Sequence, residues 1–138
     1  MIALDTNVVS ELMRSAPAPA VQAWLASQSF DELFLAAPSV AEIRYGAIRL
    51  PAGKRRQGLI TLYEEVLDRF DKRVLPFNLQ AVECYADIIA SRETAGNPIN
   101  VFDALIAATA LAHNASIATR DLGGFQGCGI ALIDPWAG

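Results

Sequence analysis

Apolar residues follow two rhythms along this chain. One is a set of short, nearly unbroken runs: Ile2-Ala3-Leu4, Leu33-Phe34-Leu35-Ala36, Val74-Leu75-Pro76-Phe77, Ser116-Ile117-Ala118-Thr119 and Ile130-Ala131-Leu132-Ile133. Such runs, bounded by polar or turn residues, read as short buried strands. The other rhythm is helical. Thr6 or Asn7 is placed to cap a first helix with Val8, Val9, Leu12 and Met13 inward, which Pro17 and Pro19 break. Ala20–Gln28 forms a second helix around Trp24 and Leu25. Ser39-Val40-Ala41-Glu42 opens a third that runs toward Leu50. After Pro51-Ala52-Gly53, Lys54-Arg55-Arg56 leads into a long helix with Leu59, Leu62, Tyr63, Val66, Leu67 and Phe70 on one stripe. A fifth covers about Leu79–Thr94 and stops at Gly96-Asn97-Pro98. Asn100 caps a sixth, through His113, that is apolar nearly all round and so belongs at the centre. Asp121-Leu122-Gly123-Gly124 reads as a turn.

Strands alternating with helices predict an α/β fold with a short, mostly parallel central sheet flanked by helices, because parallel neighbours need helical crossovers. The 138 residues predict one domain, 1–138. In such folds ligands bind beyond the carboxyl ends of the strands, near the point where strand order reverses. Asp5 and Asp121 both follow predicted strands.

Composition narrows the class. Hydrophobic residues make up 53% and charged residues 19%, which excludes disorder and coiled coil. Cys84 and Cys128 show neither a disulfide framework nor zinc spacing and are expected to be free thiols in a reduced, cytoplasmic setting. The N-terminus lacks the basic and apolar regions of a signal peptide, and no stretch is long and apolar enough for a membrane span. The net charge of −4 argues against a broad phosphate-binding surface, though not against local contacts to nucleic acid. Setting Asp5, Glu42, Asp103 and Asp121 aside leaves the rest of the chain neutral, as would any four acids.

Each of these acids has a plain structural explanation. Asp5 and Asp103 suit the positive start of a helix, Ser39-x-x-Glu42 matches a capping box, and Asp121 suits a turn. Taken together they suggest more. Asp103 heads an apolar helix, where an unpaired carboxylate is costly. Two acids fall at strand ends and two near helix starts, positions that one rim of a parallel sheet can share. Carboxylates gathered there would raise one another's pKa unless a hard divalent ion, Mg²⁺ or Mn²⁺, offset them. His113 is the single histidine and suits a helix C-terminus, which removes serine- and cysteine-triad chemistry and histidine-rich zinc sites. No Gly-x-x-x-x-Gly-Lys or Gly-x-Gly-x-x-Gly motif is present. Acids without imidazole point to water activated by a divalent ion and to attack on a phosphodiester. Thr6, Asn7 and Thr119 are candidates to orient water or the carboxylates, although capping also accounts for the first two.

Four segments carry a family resemblance: Asp5-Thr6-Asn7, Val40-Ala41-Glu42-Ile43-Arg44-Tyr45-Gly46, Asp103-Ala104-Leu105-Ile106-Ala107-Ala108-Thr109-Ala110 and Ala118-Thr119-Arg120-Asp121. In this order the chain resembles PIN-domain ribonucleases, in particular the VapC-type (FitB-like) toxins of type II toxin–antitoxin pairs. The ending Asp134-Pro135-Trp136 is similar to the Asn-Pro-Trp close of that group. The resemblance implies a Mg²⁺-dependent endoribonuclease, with Mn²⁺ as a substitute, that inhibits translation by cutting RNA, tRNA among the candidates. It implies Asp5 and Asp103 as main metal ligands, with Glu42 and Asp121 completing the acidic pocket or serving a second ion. It further implies a homodimer whose sites face a shared groove, and a small DNA-binding antitoxin that inserts there to form a hetero-oligomer. Tyr45, Ile48 and the apolar side of the 59–70 helix are candidates for the dimer face. Arg44, Arg49, Lys54, Arg55 and Arg56 are candidates for RNA backbone contacts. In one departure, Asp121 takes a place where many members carry Asn, and Gly124 the place of an acid. Two other classes compete with this reading: a receiver-like phosphoacceptor domain, for which Lys54 and Lys72 are badly placed, and a catalytically silent RNA-binding module.

Overall fold

The computed structural model describes residues 1–137; Gly138, the last residue of the expected domain, lies outside them. Five strands, β1 (Ile2–Leu4), β2 (Leu33–Ala36), β3 (Val74–Leu75), β4 (Ser116–Ala118) and β5 (Leu132–Ile133), form one sheet. Its order is β3-β2-β1-β4-β5, and every pairing is parallel. Seven helices accompany it: α1 (Thr6–Leu12), α2 (Pro19–Ser27), α3 (Ala37–Ile48), α4 (Lys54–Arg69), α5 (Leu79–Thr94), α6 (Val101–Ala112) and α7 (Leu122–Phe125). A single 3-10 turn, Phe30–Glu32, precedes β2.

Strand periodicity sorts the core into two layers. Ala3 and Ile117, with Phe34 of β2 in register beside Ala3, point to the face covered by α5 and α6. Leu4, Leu35 and Ala118 point to the opposite face, where Val8, Val9 and Phe70 pack. Ala3 and Leu4 are both fully buried because β1 is central and covered on both sides. On α6, Ala104, Ala107, Ala108 and Ala110 have no exposed surface; small side chains let this helix lie close against its neighbours.

Most element boundaries follow local chemistry. Asn78 Oδ1 accepts from Ala81 N–H (2.9 Å) at the start of α5. The helix closes at Gly96, whose φ of 71° allows Asn97 N–H to reach back to Arg92 C=O (2.9 Å). Asn100 Oδ1 accepts from Phe102 N–H (2.9 Å) and caps α6 as its position predicts. Elsewhere the structure departs from the sequence reading. Asp5 rather than Thr6 or Asn7 is the cap of α1. Pro38 lies within the first turn of α3, where its missing N–H is harmless, so that helix starts before Ser39. β3 stops ahead of Pro76, which has no N–H to continue a ladder, and residues 121–125 form a capped helical turn, α7.

Candidate active site

The order of strands places the site. From β1 the chain winds outward through β2 and β3, then returns to build β4 and β5 on the other side. The carboxyl ends of β1 and β4 therefore flank the reversal, where a crevice opens. Asp5 follows β1, and its N–H donates to Ala118 C=O at the end of β4 (2.9 Å).

Asp5 is 4% exposed and closely held. Its Oδ1 accepts from Thr6 N–H (2.8 Å), and its Oδ2 from the Thr119 hydroxyl (2.8 Å) and Asn7 Nδ2 (3.3 Å). Thr119 is fully buried and in turn accepts from Asp121 N–H (3.0 Å). Asn7 Oδ1 accepts from Arg120 N–H (3.3 Å), closing a lattice across the strand reversal. Burial pushes the Asp5 carboxyl above its ordinary value; the Thr119 and Thr6 donors oppose this, and the charges of Glu42 and Asp121 add to it.

Glu42 reaches the same place from α3. Because the helix already begins at Ala37, the Ser39-x-x-Glu42 pattern is no capping box, which corrects the plain explanation of Glu42. Ser39 is instead fully buried inside the helix, its hydroxyl without a hydrogen-bond partner among the described residues. Glu42 Oε1 accepts from the Thr6 hydroxyl (2.5 Å). Thr6 thus binds Asp5 with its backbone and Glu42 with its side chain.

Asp103 enters from the first turn of α6. Desolvation pushes it up to about 6, helped by the fields of Asp5, Asp121 and Glu42 and opposed by Arg92. Asp121 caps α7, its Oδ1 accepting from Gly124 N–H (3.0 Å). A Cβ at residue 124 would collide with Asp121 Oδ2, so glycine there is what gives this carboxylate room. The commoner arrangement described above, with an acid at 124, is incompatible with this pose of Asp121.

All four acids, with Thr6 and Asn7, line one open basin. They converge without closing: among the described residues, no three His, Cys, Asp or Glu side chains are drawn together enough to hold a metal ion as they stand. The donor set nevertheless fits a hard divalent cation, since its ligating side chains offer only oxygen and lose stability from uncompensated negative charge.

The candidate basic residues lie elsewhere. Arg44 stacks on Tyr63 (5.4 Å to the ring centre), Arg49 on Tyr45 (5.9 Å), and Lys54, Arg55 and Arg56 form the first turn of α4; none of the five lines the basin. The arginines that do are Arg14 and Arg120. Sequence reasoning also passed over Arg92, which is 6% exposed. Its guanidinium donates to the carbonyls of Asn97 (2.7 Å), Gly124 (3.1 Å) and Gln126 (2.9 Å), tying the end of α5 to α7. No sequence signal marks it, because its partners are backbone atoms, two of them distant along the chain. His113 ends α6 with Nε2 3.0 Å from Pro76 C=O, away from the basin. Cys84 and Cys128 are free thiols, and burial pushes that of Cys128 up.

A parallel sheet wound both ways from its first strand, with carboxylates gathered off the reversal, defines a class of acidic-site α/β domains. Comparison with known proteins identifies which. The PIN domain pattern matches residues 2–126. The chain belongs to the PIN-domain family, in its VapC-type, FitB-like group. It is 47% identical to the VapC ribonuclease Y4jK of Sinorhizobium fredii, over 99% of this chain and 98% of that one. It is 41% identical to the toxin FitB of Neisseria gonorrhoeae, over 99% of both. The solved structure of FitAB bound to an IR36 DNA fragment superposes with a TM-score of 0.89 at 41% identity, covering 99% of this chain and 96% of that one. Among the described residues no helix is long and apolar enough to cross a membrane.

Proposed function

We propose that this protein is a divalent-metal-dependent endoribonuclease, the toxin of a toxin–antitoxin pair, and that it inhibits translation by cleaving RNA, with tRNA among the candidate substrates. One observation carries the reading: carboxylates from β1, α3, α6 and the β4–α7 junction share a single basin. Asp5 and Asp103 would hold a Mg²⁺ or Mn²⁺ ion, and Glu42 and Asp121 would complete the set or serve a second. Such an ion supplies, when bound, activation of water and neutralisation of charge at the scissile phosphate. The chain's own contribution is preorganisation. Thr6, Asn7 and Thr119 fix both oxygens of Asp5, so that this carboxylate presents one orientation. Thr6 fixes Glu42 in the same way. Asp103 accepts its charge late, as its raised pKa requires, and gains most from a cation.

The names of the relatives support a ribonuclease and a toxin, and the FitAB structure supports a partner protein and DNA within the assembly. On that footing the chain joins an antitoxin in a hetero-oligomer, and the family resemblance adds a homodimer of the chain itself. The receiver reading is the weaker, since neither Lys54 nor Lys72 lines the basin. Incubation of the purified protein with total RNA tests the proposal: cleavage that requires Mg²⁺ or Mn²⁺ and disappears in Asp5→Asn and Asp103→Asn is expected. Cleavage in EDTA, or in both variants, overturns it. Toxicity retained in Asp5→Asn would favour the silent RNA-binding module instead.

A further inference from the structure

The basin has a basic bank that the acidic site does not use. Arg14, just past α1, and Arg120, just past β4, both line it. Glu11 gathers them. This residue is 7% exposed, and its carboxyl is held below the ordinary value first by Ala18 N–H (2.8 Å) and then by Arg14 and Arg120. Arg14 contacts both Glu11 oxygens at 3.3 Å. The Arg120 guanidinium has neither an ion-pair partner nor a hydrogen-bond acceptor among the described residues; it lies 5.0 Å from the centre of the Trp136 ring, and Trp136 also lines the basin.

Resting on the ribonuclease reading and deepening it, we propose that Arg14, Arg120 and Trp136 form the substrate-binding rim, taking a single-stranded stretch of RNA beside the acids. The reasoning is electrostatic first. With no cation bound, the four carboxylates of the basin repel a phosphodiester, and basic groups on the same wall offset that repulsion. Arg14 and Arg120 are the two basic residues there. A stacked guanidinium keeps its in-plane N–H donors free for phosphate oxygens, a geometry lysine cannot reproduce. The indole adds a flat surface for an unpaired base, which a duplex buries within its own stack. The net charge of −4 argues against a broad polyanion-binding surface and favours local contacts such as this rim.

Fluorescence anisotropy tests this with a labelled single-stranded oligoribonucleotide and its duplex, in EDTA so that no cleavage intervenes. The single strand is expected to bind more tightly than the duplex. Arg14→Ala and Arg120→Ala are each expected to weaken it about tenfold and to lower the salt slope by about one. Trp136→Ala is expected to cost about tenfold or more. Because Trp136 also packs on the core, Trp136→Phe is the control: it keeps a ring and is expected to hold most of the affinity. Arg120→Lys keeps the charge yet is expected to lose part of the binding. Unchanged affinity in the arginine variants, or equal binding of duplex and single strand, overturns the proposal. RNA bound through these residues without metal-dependent cleavage would sink the ribonuclease reading and leave the rim standing. Cleavage that needs Asp103 but ignores the arginines would do the reverse.

Discussion

Asp5 and Asp103 face one basin from two kinds of element, and the fold treats them differently. Asp5, at the end of a central strand, is nearly buried and accepts three hydrogen bonds. Asp103, in the first turn of a helix, is partly exposed, accepts no hydrogen bond from the described residues, and is pushed up to about 6. The strand side is therefore organised before any ligand arrives, because backbone and threonine donors offset part of the cost of burying its charge. The helix side has no such donors, only the more distant charge of Arg92. Its charge is a cost to the folded protein that a bound cation would remove, so that binding and chemistry are favoured at the expense of stability.

That contrast breaks most visibly in paired variants. Asp5→Asn and Asp103→Asn are each expected to reduce cleavage by at least about a hundredfold, as for loss of a principal electrostatic group. Their effects on the metal-free fold diverge. Asp103 has a folded pKa above its unfolded value, so its contribution to stability is full below about pH 4 and falls as pH rises through about 6. Asp103→Asn removes this penalty and is expected to raise Tm at pH 7.5 by about 2–5 °C in a thermal melt. Asp5→Asn places an amide among donors that need an acceptor, and its Tm is expected to fall. Equal shifts in the two would erase the distinction.

Removing the grip rather than the acid gives smaller effects. Thr119→Val leaves Asp5 without its hydroxyl donor, and denaturant unfolding is expected to show a loss of about 1–3 kcal/mol with cleavage reduced about tenfold. Gly124→Ala forces Asp121 out of its pose; initial rates are expected to fall about tenfold while Asp5 remains fixed and Tm changes little. Replacing Lys54, Arg55 and Arg56 together by serine touches neither side of the basin. RNA affinity should then stay within about twofold, as for surface changes remote from a site. A larger loss would restore that segment as an RNA contact.

Periodicity alone made much of this architecture readable. The run Leu79–Thr94 and the Asn100 cap appear as expected because propensity, capping and the Gly96 stop all agree. The strand positions were legible for a similar reason, since two-sided burial leaves continuous apolar runs. Ser39 and Glu42 misled because a capping-box pattern carries no weight once the helix has begun upstream at Ala37. The four acids were each ambiguous alone; their convergence depends on the reversal of strand order at β1, a tertiary feature that no local pattern encodes. Arg92 and the meeting of Arg14 with Arg120 at the basin escaped notice for the same reason, being assembled from segments far apart in sequence.

Titration with Mn²⁺, followed by electron paramagnetic resonance at pH 7.5 and pH 5, most directly tests whether these carboxylates form one cation site. Binding is expected at pH 7.5 in the native protein, about tenfold weaker at pH 5 where Asp103 is mostly protonated, and absent in Asp5→Asn and Asp103→Asn. Binding of the same strength in all three proteins, or at both pH values, would contradict the account.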